Sequence, residues 1–157
     1  MDCKEQVENY LKSHGVQFQE THHPLAYTAQ DVAASEHVSG RLVSKVVMAM
    51  SGDGKPYMLV LPANLKVDLD KARRALGLSN LRLASEREFE HLFPGCEVGA
   101  EPPFGNLYGL PVYVDPRLAE DPEIIFQAGT HTDTIRMRYS DFERLVHPEV
   151  CDLARAA

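Results

Sequence analysis

Three stretches of the chain carry side chains that could act on a substrate. RLVSKVVMAM, Arg41 to Met50, sets Lys45 in a β-rich run that is apolar on both faces: Val43, Val47 and Ala49 share its face, and Val46, Met48 and Met50 take the other. Strands apolar on both faces lie inside sheets covered on both sides. A lysine there either snorkels to water from near the strand end or stands in an enclosed site, where its charge is costly. Enclosure lowers such a pKa, and an anionic ligand raises it again. The second stretch, AGTHTD, follows the apolar run EIIFQ and precedes TIRM, so Gly129, Thr130 and His131 sit between two strands. Glycine lets the backbone approach a ligand, and a hydroxyl and an imidazole stand beside it; the same residues also make a serviceable turn. The third, GCEVGAEPPFG, fixes a bent path with Gly99, Pro102, Pro103 and Gly105, and Phe104 offers an aromatic face. Long loops of this kind are binding loops, lids or plain connections.

Other chemistries fit the placement of residues less well. Ser44 adjoins Lys45, but successive strand residues point to opposite faces, which disfavours a serine–lysine nucleophile. His22 and His23 diverge for the same reason, so a metal site from His23, His131 and a carboxylate is not expected. Cys3, Cys96 and Cys151 are odd in number, widely spaced and without a CxxC pair. They are expected to be reduced thiols of a cytoplasmic protein, with no zinc site. Cys96 lies in a loop with no base argued to pair with it. No GxSxG, GxGxxG or phosphate-loop pattern occurs, and neither a metal nor an organic cofactor is expected.

These residues must be held by a chain of 157 residues, which fits one domain, 1–157, with a sizeable core. A net charge of −7 argues against a broad, sequence-independent grip on nucleic acid, DNA included, while leaving room to touch a nucleic-acid end. Lys66, Lys71, Arg73, Arg74 and Arg82 form the one concentrated basic segment, read first as a solvated helix face. The charged start MDCKEQVENYL does not suit a secretory signal, and no apolar run approaches the roughly eighteen residues of a membrane helix.

The pattern predicts a helix from about Asp2 to His14, a strand at VQFQE, a His-Pro loop at HHPLAYT, and a helix through AQDVAAS capped by Thr28. LVSKVVMAM and PYMLVLP read as a hairpin around Asp-Gly. LDKARRALG is a helix between Asp68 and Gly77, LRLA a short strand, and Ser85 with Glu88 a capping box. Pro94 to Gly109 reads as loop, LPVYV, EIIFQA and TIRMRY as strands, and Ser140 with Glu143 as a second capping box opening the closing helix. The order suggests a mixed, curled sheet with helices packed outside it.

Taken in order, the His-Pro loop, the lysine strand paired with YMLVLPAN, DLDKARRALGLSNLRLASEREFEHLFPG, GAEPPFG, LPVYVD and AGTHTDTIRM resemble one family from almost end to end. It is the YbaK and prolyl-tRNA synthetase editing-domain family of free-standing aminoacyl-tRNA deacylases. The resemblance implies a mixed α/β fold with a barrel-like sheet, and hydrolysis of the ester joining a wrong amino acid to the terminal ribose of a tRNA. It carries the functional lysine onto Lys45, with His131 as the second catalytic candidate. The implied substrate-binding set is Gly99, Pro103, Phe104, Gly105, Gly129, Thr130 and His23. The implied partners are the acceptor end of an aminoacyl-tRNA and an aminoacyl-tRNA synthetase that holds the rest of it. AGTHTD matches neither the asparagine–phenylalanine–histidine–proline branch nor the glycine–arginine or glycine–lysine branches, which leaves the amino acid and the tRNA open. Proline tRNA carrying a small wrong amino acid is the first candidate. The alternative from another class is a non-catalytic module that recognises aminoacyl ends.

Overall fold

The computed structural model describes residues 2–26 and 28–157; Tyr27 of the HHPLAYT loop lies outside them. Helix α1 (Cys3–Ser13) starts where the Asp2 carboxylate accepts the Glu5 N–H at 2.8 Å, and it buries Cys3, Val7 and Leu11 along one face. After β1 (Phe18–His22), α2 (Ala29–Ser35) is capped by Thr28, whose hydroxyl accepts the Asp31 N–H at 3.0 Å. A free N–H at a helix start is thereby satisfied, which is what a threonine at that position does best. Strands β2 (Ser44–Ser51) and β3 (Pro56–Pro62) form the expected antiparallel hairpin. Next come β4 (Leu65–Val67), α3 (Leu69–Leu76), β5 (Leu81–Leu83) and the short α4 (Glu86–Phe89). At α4 the expected capping box forms, with the Glu88 carboxylate accepting the Ser85 N–H at 2.9 Å. The chain closes with β6 (Val112–Val114), α5 (Pro116–Ala119), β7 (Glu123–Gln127), β8 (Asp133–Arg138), α6 (Tyr139–Val146), β9 (Glu149–Val150) and β10 (Ala154–Ala156).

The strands fall into three sheets: a mixed five-stranded one in the order β5-β2-β3-β6-β9, a three-stranded one in the order β1-β8-β7, and the ribbon β10-β4. An isolated parallel bridge between Val43 and Ile125 links the lysine strand to β7. Among the described residues no sheet closes on itself, so the mixed α/β class holds while the barrel-like curl is not seen. Among the described residues, backbone pairing between the two larger sheets consists of that bridge and the Ile125 N–H donating to the Leu42 carbonyl.

Between these two sheets lies the main core. Met48, Met58 and Val60 face Phe104, Phe126, Ile135 and Phe142, and the ring of Phe104 meets those of Phe126 and Phe142 edge-on at 5.4 and 5.5 Å. Each fully buried ring of this kind stabilises the fold by about 1.5–3 kcal/mol. On the other side of the five-stranded sheet, Ala49, Tyr57 and Leu59 pack against Ala72 and Leu153. The lysine strand is therefore covered on both faces, as its sequence requires.

Two further expectations are corrected. Helix α6 starts at Tyr139 with Arg138 as its cap residue and no side-chain cap bond, so Ser140 and Glu143 form no capping box. Cys3 and Cys96, 93 residues apart in sequence, are joined by a disulfide, and Cys151 alone is a free thiol. Their spacing hid the pairing because the start of α1 packs under the Gly95 turn, where the Cys3 N–H donates to the Gly95 carbonyl. The inference from thiols to a reducing compartment thus rests on Cys151 alone. The segment expected as loop also contains a 3-10 turn at Gly105–Tyr108.

Candidate functional site

Beside the Val43–Ile125 bridge opens a cavity of about 440 Å³, to which several parts of the fold contribute. Ser44 and Lys45 come from the start of β2, Phe126 and Gln127 from the end of β7, Thr28 and Gln30 from the start of α2, and Gly99 and Glu101 from the glycine–proline loop. Lys66 on β4 stands at the same opening and is exposed.

Lys45 is half-buried, and among the described residues it has no hydrogen-bond or ion-pair partner. Burial, and secondarily the charge of Lys66, hold its pKa below the ordinary lysine value. Two cations at one opening are suited to an anionic group such as a phosphate. Ser44 is buried, and its hydroxyl donates to the Ile125 carbonyl at 3.3 Å. That bond makes it part of the seam between the sheets rather than a nucleophile.

The glycine–proline loop is held by a compact set of bonds. Gly99 adopts φ +89°, a conformation that favours glycine, and its N–H donates to the Glu101 carboxylate at 3.0 Å. Glu101 is only 7% exposed; burial pushes its carboxyl above the ordinary glutamate value, against the opposing pull of that N–H. The Glu97 N–H donates to the Gly129 carbonyl at 2.8 Å and the Gly129 N–H to the Ala100 carbonyl at 2.9 Å. Glu97 also accepts the His131 N–H at 2.7 Å. On the imidazole, Nε2 lies 2.8 Å from the Val98 carbonyl, and Nδ1 lies 3.4 Å from the Gln127 amide nitrogen. A carbonyl can only accept, so these partners select the tautomer protonated on Nε2, with Nδ1 as acceptor.

The expected site residues accordingly separate into four groups. Lys45 and Gly99 line the cavity. His131, Gly129 and Thr130 stand behind the loop. Gly129, at φ +89°, lies so close to Cys3 that an added Cβ would meet its sulfur at 2.7 Å, and the Thr130 hydroxyl donates to Asp133 at 2.6 Å. Pro103, Phe104 and Gly105 are buried and turn toward the core, where Phe104 supplies a central ring. His23 is buried elsewhere, its Nδ1 2.7 Å from the Pro24 carbonyl oxygen and its Nε2 3.8 Å from the Glu36 carboxylate. Sequence reasoning passed over Thr28, Gln30, Lys66, Glu101 and Gln127 as liners. Glu101 had a visible signal, a carboxylate inside the glycine–proline loop, whereas Lys66 was absorbed into a basic segment. No group of three or more His, Cys, Asp or Glu among the described residues is arranged to hold a metal ion.

The profile of the family described as the aminoacyl-tRNA editing domain matches residues 23–145, a span that includes Lys45, the Gly99 loop and His131. The chain belongs to that family. This editing domain is 31% identical over 121 residues to the multifunctional Ser/Thr-tRNA deacylase ProXp-y of Escherichia coli K12, covering 75% of this chain and 72% of that protein. It superposes with a TM-score of 0.82 and 26% identity on a solved structure described as a candidate trans-editing enzyme for prolyl tRNA synthetase, with 99% of each chain covered. The hypothetical protein APE2540 shares the fold at a TM-score of 0.86 and 20% identity, over 96% of this editing domain and 99% of that chain. Among the described residues, no helix is long and apolar enough to cross a membrane.

Proposed function

We propose that the chain is a trans-acting aminoacyl-tRNA deacylase, which hydrolyses the ester between a wrong amino acid and the terminal ribose of a tRNA. The observation that carries this reading is Lys45, a half-buried cation without a partner among the described residues, lining a cavity in an editing domain. An aminoacyl ester is already activated, so the enzyme needs chiefly to hold it and admit water. Lys45 binds the terminal phosphate or offsets charge on the developing oxyanion, and Lys66 reinforces the attraction at the opening. Because the Gly99 N–H is engaged by Glu101, the loop acts here as a shaped wall rather than as an oxyanion donor. His131 acts through that wall by holding Val98 and Gln127 in place.

A volume of about 440 Å³ suits a small amino acid with part of the terminal nucleoside. Hydroxyl and amide groups of Thr28, Gln30 and Gln127 favour a small polar side chain. The relative named for Ser/Thr-tRNA supports the same choice. With a net charge of −7, the chain is read as gripping only the acceptor end, with a synthetase holding the body of the tRNA. The test is a panel of mischarged tRNAs, with seryl-, alanyl- and cysteinyl-tRNA for proline first, then threonyl-tRNA. Wild-type release that falls by about 100-fold or more in Lys45→Ala supports the reading. Binding without release selects a non-catalytic module instead.

A further inference from the structure

We infer that Glu101 receives the α-ammonium group of the esterified amino acid, so that the site takes free-amine aminoacyl ends and rejects those carrying an N-acyl group. This rests on the deacylase reading and names the part of the substrate that the lysines leave unrecognised.

Glu101 supplies the one side-chain carboxylate among the described residues that line the cavity. One of its oxygens accepts the Gly99 N–H at 3.0 Å, and no ion pair to it forms among the described residues. An ionised carboxylate has about four acceptor positions, so the Gly99 bond and a second from its own backbone N–H leave others for another donor. At 7% exposure, water cannot fully supply that donor. A carboxylate buried with so little compensation is costly unless a cationic partner completes it. Burial already raises the carboxyl pKa, and a cationic ligand would lower it again.

The distribution of charge identifies that partner. Lys45 and Lys66 supply positive charge to the same cavity, and Glu101 supplies negative charge. A charged tRNA end carries its groups in matching order: phosphate, ribose, ester, and one carbon further an ammonium. An N-acyl substituent removes the positive charge and adds bulk where the carboxylate is least able to solvate it. The rival role for Glu101, general base toward water, makes no demand on the substrate amine.

The test measures binding rather than turnover, using amide-linked, non-hydrolysable seryl analogues of cytidylyl-adenosine with the amine either free or acetylated. The wild-type protein is expected to bind the free-amine analogue at least ten-fold more tightly. Glu101→Gln, whose amide oxygen can still accept the Gly99 N–H, should shrink that preference to under three-fold. Lys45→Ala should weaken both analogues alike. Equal binding of both analogues by the wild type, binding of neither, or a full preference retained in Glu101→Gln overturns the inference. Failure of the deacylase reading shows separately, as no amino acid released from any mischarged tRNA, and leaves the binding ratio readable.

Discussion

The imidazole Nε2 of His131 and the carbonyl oxygen of Val98 lie 2.8 Å apart, which ties the histidine to the back of the Gly99 loop. An added Cβ on Gly99 would stand 3.4 Å from the same ring, so loop and imidazole pack against each other. The histidine therefore shapes the cavity wall to which Gly99 belongs.

The first prediction concerns that brace. His131→Ala should raise KM and lower kcat through a displaced loop, and His131→Gln should recover part of the loss by restoring a donor to Val98. The pH profile of His131→Gln should keep the wild-type shape. A missing limb in that profile would instead assign proton transfer to His131.

Lys66 offers a second prediction. Burial first, and Lys66 second, hold the Lys45 pKa below 10.5. Deprotonation of Lys45 removes the cation, so activity should decline on the alkaline side at a pH below the ordinary lysine value. Lys66→Gln removes the smaller of the two causes, which raises the Lys45 pKa and should move that decline to higher pH. The same variant should raise KM, because one attraction for phosphate is gone. An unmoved alkaline limb would mean that Lys45 does not control it.

A third prediction tests the Cys3–Cys96 bridge. It closes a loop of 93 residues, and a cross-link of that span restricts the unfolded chain by an amount worth about 2–4 kcal/mol. Thiol reduction, or a Cys3→Ser/Cys96→Ser double variant, should lower the urea midpoint accordingly with the slope little changed. Because Cys3 also packs against Gly129, catalytic efficiency should fall with it. Identical unfolding curves with and without reductant would show that the bridge adds nothing to stability.

Much of this architecture could be read from local chemistry. Thr28, Asp68 and the SGDGK turn act through neighbours a few residues away, so their roles survive in one dimension. Lys45 was legible because a charge in a doubly apolar strand breaks the pattern. The packing of Phe104 was not, since a proline-flanked aromatic in a loop gives no sign of which way it turns; only the rings of Phe126 and Phe142 decide that. The Cys3–Cys96 pair and the depth of Glu101 were hidden for the same reason, as both depend on where α1 and the loop meet. The absence of barrel closure likewise depends on how β1, β8 and β7 are set against β2, which strand periodicity does not encode.

The meeting of the two larger sheets has a mechanical consequence. Among the described residues their backbone link is the Val43–Ile125 bridge and the adjoining Ile125-to-Leu42 hydrogen bond, and the cavity opens just beside it, with Lys45 on one leaf and Gln127 on the other. A few degrees of tilt about that crease would change the gap between the leaves while leaving each leaf internally intact. Ile125 therefore sets the spacing of the two cavity walls, and trimming a methylene from it should alter the gap between Lys45 and Gln127.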